Sequence, residues 1–184
     1  MAKRLSETAA GVLAQGGTVE IAESFEVWFL GRSSTMRIGA SLAQLAHRTG
    51  YWYHQLRLNG KAQEYALSQP HGPGVRDWEV HAVMASPLPA RVDAAISWID
   101  RQDISGDPLV RMLSVPAYHI TAFWLVGGKE DRIVPIERSE WLEQLKTEAI
   151  YGEREFIRML APERSARATP RRLTTFSAPP HIVV

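Results

Sequence analysis

The run from Tyr51 to Ser68, two stretches of alternating side chains joined by Asn59-Gly60, constrains what this chain can fold into more than any other segment. Asn-Gly supplies the two positive-φ positions of a type I′ turn, whose twist matches that of the strands it joins, so the run is a β-hairpin. Closing the loop with two residues sets Leu58 opposite Lys61, Leu56 opposite Gln63, His54 opposite Tyr65 and Trp52 opposite Leu67. That register predicts an apolar face of Trp52, His54, Leu56, Tyr65 and Leu67, with Tyr51, Tyr53, Gln55, Arg57 and Glu64 on the other side. A sheet with one buried side follows.

Elsewhere the periodicity predicts further elements. A short helix is expected over residues 5–14, stopping at Gly16-Gly17, and a strand over Ser24 to Leu30. Ser33, Ser34 or Thr35 then caps a helix near 36–47 that Gly50 ends. From Asp77 to Ala85, Trp78, Val80, Ala82 and Met84 alternate with Asp77, Glu79 and His81, the pattern of a half-buried strand. Pro87 and Pro89 suit the start of a helix over 89–102. The segment Leu109 to Val126 is apolar at both parities, as a central strand buried on both sides would be. Pro135 restricts the following strand, Arg132 to Ile136, to an edge or an end. Ser139 suits the cap of a helix over 138–149, and a last helix is expected from Glu153 to Leu160. No repeat of solenoid period is visible.

Composition narrows the function classes. At 184 residues, 45% hydrophobic and 22% charged, the chain has the makeup of a globular protein with a substantial core. A formal charge of +1 gives no global field for nucleic acid or an anionic membrane. Cysteine is absent, which excludes disulfides, thiolate metal sites and a cysteine nucleophile. Ser6, Glu7 and Thr8 interrupt the apolar run after the basic start, leaving too little for a secretory leader, and no stretch is long enough to span a bilayer. The expectation is a cytoplasmic protein with a single domain over 1–160 and a basic, Pro-containing arm over 161–184.

Chemistry-bearing patterns are sparse. His54, His81 and His119 fall in predicted strands, but their parities do not bring three imidazoles to one point, so no metal site is expected, and nothing points to a cofactor. For an enzyme, Glu79 and His81, two apart on one strand face, would form the acid-base pair, with His119 beside them. His47 is expected near a helix C-terminus, a structural place. The segment Arg32-Ser33-Ser34-Thr35, between a strand and a helix, has donors suited to an anion, although a helix cap is the better explanation. Six tryptophans read first as core residues; for any aromatics left at an interface, the hairpin register nominates Tyr51 and Tyr53, with Arg57 beside them. The arm adds Arg164, Arg167, Arg171 and Arg172 and an apolar end that includes Ile182 and Val183, a composition suited to lacing one subunit to another.

The sequence therefore predicts an α+β fold, a mainly antiparallel sheet with helices packed on one face and an extended C-terminal arm. Its expected role is a non-catalytic binding or assembly subunit with a protein partner or a second copy. A small enzyme or ligand-binding domain with a His/Glu-lined pocket is the alternative, and nucleic-acid binding through the arm the third.

Overall fold

The computed structural model describes residues 7–32, 39–70, 78–104, 106–140 and 142–160. Along them run α1 (Glu7–Ala14), β1 (Val19–Phe29), α2 (Leu42–Leu45), β2 (His47–Leu58), β3 (Lys61–Pro70), β4 (Trp78–Ala85), α3 (Leu88–Ile99), β5 (Leu109–Val115), β6 (Ile120–Val126), β7 (Arg132–Glu137), β8 (Tyr151–Gly152) and α4 (Glu153–Leu160). The eight strands form one sheet in the order β4-β3-β2-β1-β5-β6-β7-β8. Every neighbouring pair is antiparallel except β1 with β5, which are parallel. The protein is thus α+β with a mainly antiparallel sheet. The arm expected from residue 161 lies outside the described residues.

The hairpin forms as expected at its turn and departs from expectation two residues later. Asn59 and Gly60 have φ of 50° and 77°, and Leu58 faces Lys61. Beyond Arg57, which faces Ala62, the ladder slips so that Leu56 faces Glu64 and Gln63 is an extra residue on β3. One extra residue turns over every side chain that follows it. The expected pairs His54 with Tyr65 and Trp52 with Leu67 are therefore corrected to His54 with Ala66 and Trp52 with Ser68. Tyr65 and Leu67 move to the face of Tyr53, where the Tyr53 and Tyr65 rings stack 5.1 Å apart. Alternation fits both registers, and this packing decides between them.

Two apolar cores lie on opposite faces of the sheet, because β5, β6 and β7 are hydrophobic at both parities. On one face Phe25, Tyr53, Met112, Phe123, Leu125, Val134 and Ile136 pack under Val92 and Ala95 of α3. On the other, Leu113, Val115, Ile120, Ala122, Trp124 and Ile133 pack under Leu42 and Leu45 of α2 and under Phe156, Ile157 and Leu160 of α4. The helices expected on one face are shared between two, since strands apolar on both sides need cover on both. A near two-fold relation organises the whole. Strands β1 to β4 followed by α3 match β5 to β8 followed by α4, with β1 and β5 side by side and parallel at the centre. An axis along the strands that maps one half onto the other exchanges the faces, which is why α3 and α4 cover opposite sides.

Three further expectations change. The helix expected near 36–47 is the single turn α2, entered through Gly39 at φ 88° and begun at Ser41, whose N–H donates to Gln44 Oε1 at 3.0 Å. Gly50, expected to end that helix, sits inside β2 at φ 80°. The strand expected over Leu109 to Val126 is two strands, broken by a turn at Pro116–Tyr118 that His119 closes at φ 49°. No helix occupies the described part of 138–149. Single turns closed by Leu142 N–H to Ser139 O and Leu145 N–H to Leu142 O fill it, and the Tyr151 hydroxyl takes the Lys146 N–H at 2.8 Å. Buried Leu145 anchors this segment, too little apolar surface to hold a helix. Pro135 keeps the place argued for it, because β8 pairs only with Arg132 and Ile133 and leaves the rest of that side of β7 without a strand.

Candidate binding face and edge strand

The structure separates the residues nominated for catalysis. Glu79 and His81 lie exposed on β4, at the end of the sheet. His119 lies exposed in the turn between β5 and β6, five strand positions away, roughly 24 Å at the usual strand spacing. His81 is itself an extra residue, since Leu67 faces Ala82 and Ser68 faces Val80, and its ring meets Tyr51 edge-on at 5.1 Å. His47, expected near a helix C-terminus, is instead the first residue of β2 and packs against Phe29 at 4.9 Å.

The nominated interface residues have other surroundings than the register promised. Tyr53 is 1% exposed beneath α3, its hydroxyl has no hydrogen-bond partner, and burial pushes its pKa far up, with Tyr65 the next cause. Gln55 and Arg57, on the same face, tie the helix down. Gln55 Nε2 donates to Pro89 O at 2.7 Å and to Asp93 Oδ1 at 2.9 Å, and Arg57 reaches the same Asp93 oxygen at 3.0 Å. The face expected to be open is covered by α3, and Tyr51 is half-buried. Arg32 is exposed in the turn after β1, whereas Ser33, Ser34 and Thr35 lie outside the described residues, as do Arg164, Arg167, Arg171, Arg172, Ile182 and Val183.

The sheet face opposite α3 carries the polar groups that sequence reasoning passed over. His54 bridges three strands, with Nδ1 2.7 Å from Ser24 Oγ on β1 and Nε2 2.6 Å from Ser68 Oγ on β3. Ser68 is buried and Ser24 exposed, so one ring nitrogen meets a hydroxyl inside the sheet and the other a hydroxyl at the surface. Burial holds the His54 pKa below the ordinary range and keeps the ring neutral. Alternation along β1 puts Ser24, Glu26 and Trp28 on one face, a signal present in the sequence, but only the pairing of β1 with β2 joins Ser24 to His54.

Beside this array, Glu26 draws two cations together. It pairs with Arg48, accepts the Trp28 Nε1–H at 2.8 Å and lies 3.8 Å from Arg111 Nε. The Arg111 guanidinium sits 4.4 Å from the Trp28 ring and 5.0 Å from the Trp124 ring, a cation held against two aromatic faces. Toward the other side, Trp78 meets Trp52 and His54 edge-on, each at 5.8 Å. Trp78 is 42% exposed and Met84, also on β4, 36%.

Three cavities bounded by described residues are lined without Glu79, His81 or His119. One of these, about 570 Å³, lies between the start of α2, the 128–131 loop and the start of α4. Two of its carboxylates hold the surrounding structure: Glu153 Oε1 accepts the Leu42 N–H at 2.5 Å, and Asp131 accepts the Trp124 indole N–H at 2.9 Å and the Gly127 N–H at 3.4 Å. Burial raises the Glu153 pKa, and nearby Asp131 and Glu130 add to it. Among the described residues no three His, Asp or Glu side chains gather as a metal site, and no described helix is long and apolar enough to cross a membrane. Comparison with known proteins gives no match: no family model, no curated protein and no solved structure is significantly similar to this chain.

Proposed function

We propose that this protein is a non-catalytic binding or assembly subunit of the cytoplasm, acting through protein-protein contacts. The observation that carries the reading is β4, an eight-residue strand at the end of the sheet that displays Trp78 and Met84 to solvent. Large apolar side chains held at the surface are what a contact with another polypeptide would cover. The arm residues Arg164, Arg167, Arg171, Arg172, Ile182 and Val183 belong to the proposal as a second contact. Two features weigh against its rivals. Both ring nitrogens of His54, the histidine with a described hydrogen-bond network, are taken up by serine hydroxyls. Arg48, Arg57, Arg91 and Arg111 each lie against a carboxylate, so these sheet and α3 cations are not displayed for phosphates.

The test compares the full chain with a chain ending at Leu160, by solution mass and by pull-down from the native cell. A stable complex, weakened when the arm is absent, is the expected result. A monomer that brings down nothing at any concentration removes the proposal.

A further inference from the structure

We infer that Ser24 is a nucleophile: a surface serine, poised by His54, that accepts an acyl group from an activated ester of apolar character. Such a site of covalent modification is additional to the assembly reading and independent of it. Ser24 is exposed on β1, and its Oγ lies 2.7 Å from Nδ1 of a histidine that is only 9% exposed. Nε2 of the same ring lies 2.6 Å from Oγ of buried Ser68. A hydroxyl within hydrogen-bond reach of an imidazole whose far nitrogen is held by a third group is the arrangement that activates a serine. With both nitrogens occupied, His54 has no hold on a substrate of its own. What it can take is the proton of the hydroxyl it meets at the surface.

Two irregularities of the sheet aim both serines at the ring. Ile21 faces Leu56 and Ser24 faces His54, three steps along β1 against two along β2, so an extra residue on β1 brings Ser24, and not Glu23, opposite the histidine. On β3 the extra residue Gln63 puts Ser68 on the face of His54. Bulges of this kind re-aim side chains and gather beside functional sites. Burial keeps the ring neutral, which leaves a lone pair for a proton. In the step, Ser24 Oγ attacks the ester carbonyl carbon while its proton passes to Nδ1, and Nε2 keeps its own proton toward Ser68 Oγ. The bond from carbon to the leaving oxygen then breaks, and the departing alkoxide or phenolate takes the proton from Nδ1, so the ring ends neutral and Ser24 acylated. Resting His54 must therefore carry its proton on Nε2. Trp78, 42% exposed and edge-on to the His54 ring at 5.8 Å, gives the site an aromatic flank that favours an apolar donor.

The experiment treats the full chain with p-nitrophenyl acetate and reads acetylation site by site by peptide mass spectrometry, with Ser97, exposed on α3, as the reference serine. The expected result is acetylation of Ser24 about a hundredfold faster than of Ser97, the low end of what general-base assistance supplies. Release of p-nitrophenolate that is lost in Ser24→Ala counts as the same step followed by hydrolysis. His54→Gln, its fold verified by circular dichroism, should bring Ser24 down to the Ser97 rate. Should that variant fail to fold, the ring-nitrogen chemical shifts of His54 in the unaltered chain decide, a proton on Nε2 supporting the inference and a proton on Nδ1 overturning it. No excess at Ser24 by either readout, or an excess that survives His54→Gln, also overturns it. The pull-down that tests the assembly reading is unaffected by these outcomes.

Discussion

Burial of His54 makes the stability of this protein depend on pH in a definite direction. Below the ordinary histidine value of 6.5, the unfolded chain takes up a proton that the folded chain refuses. Stability should fall as the pH drops from there to the lowered folded-state value, and stay lower beneath it. Urea midpoints at several pH values between 8 and 5 measure this, and His54→Gln should flatten the slope. Glu153 acts in the opposite sense. Its folded-state pKa is raised, so the folded chain protonates before the unfolded one, and stability is regained as the pH falls through that raised value toward 4.5. Glu153→Gln should remove this acid gain. Tyr53 provides a third test at a single atom, because its buried hydroxyl bonds to nothing. Tyr53→Phe keeps the ring stacking and removes an unsatisfied group, so it should stabilise by roughly 1 kcal/mol in urea unfolding.

Single elements are set by where chain irregularities fall. Gln63 carries no chemistry, yet its position as an extra residue decides which side chains of β3 meet α3 and which meet His54. Deleting Gln63 takes the extra residue out and leaves Glu64 opposite Leu56, so Tyr65 and Leu67 stay on the face of Tyr53 and a cost of only about 1 kcal/mol is expected. Tyr65→Ala, which empties the place beside the Tyr53 ring, should cost roughly 3 kcal/mol. Gly60→Ala, which strains a residue at φ 77° and leaves the register alone, should cost about 1 kcal/mol. Thermal melts of the three variants separate these cases. The hairpin turn was visible in Asn59-Gly60 because turn chemistry is local. The slip was not, since it is chosen by ring stacking with residues on another strand. The same reason hides the helix that covers Tyr53, Gln55 and Arg57: alternation shows that a strand has two faces, and the partner that covers each comes from elsewhere.

At the scale of the molecule, the two halves share their cores. Phe25 and Tyr53 from the first half pack with Met112, Phe123 and Val134 from the second, and the β1-β5 pairing joins the halves through backbone. Neither half buries its surface alone, so unfolding should be one cooperative event. Tryptophan fluorescence and far-ultraviolet circular dichroism should give coincident urea transitions, and two separated transitions would show independent halves. The near two-fold relation left no repeat in the sequence, because packing constrains the pattern of apolar positions and not the identity of the residues.

What the chain determined by itself is local: the Asn59-Gly60 turn, the proline start of α3, the doubly apolar strands β5 to β7, and the absence of cysteine chemistry. Each rests on backbone preference or on periodicity within a few residues. Tertiary structure alone decided that helices cover both faces, that His54 meets Ser24 and Ser68, that Glu79 and His81 lie far from His119, and that β4 is the outermost of the described strands on its side. These depend on strand order and register. Both are set by contacts between residues distant along the chain, whose closure entropy is repaid only when the whole sheet forms.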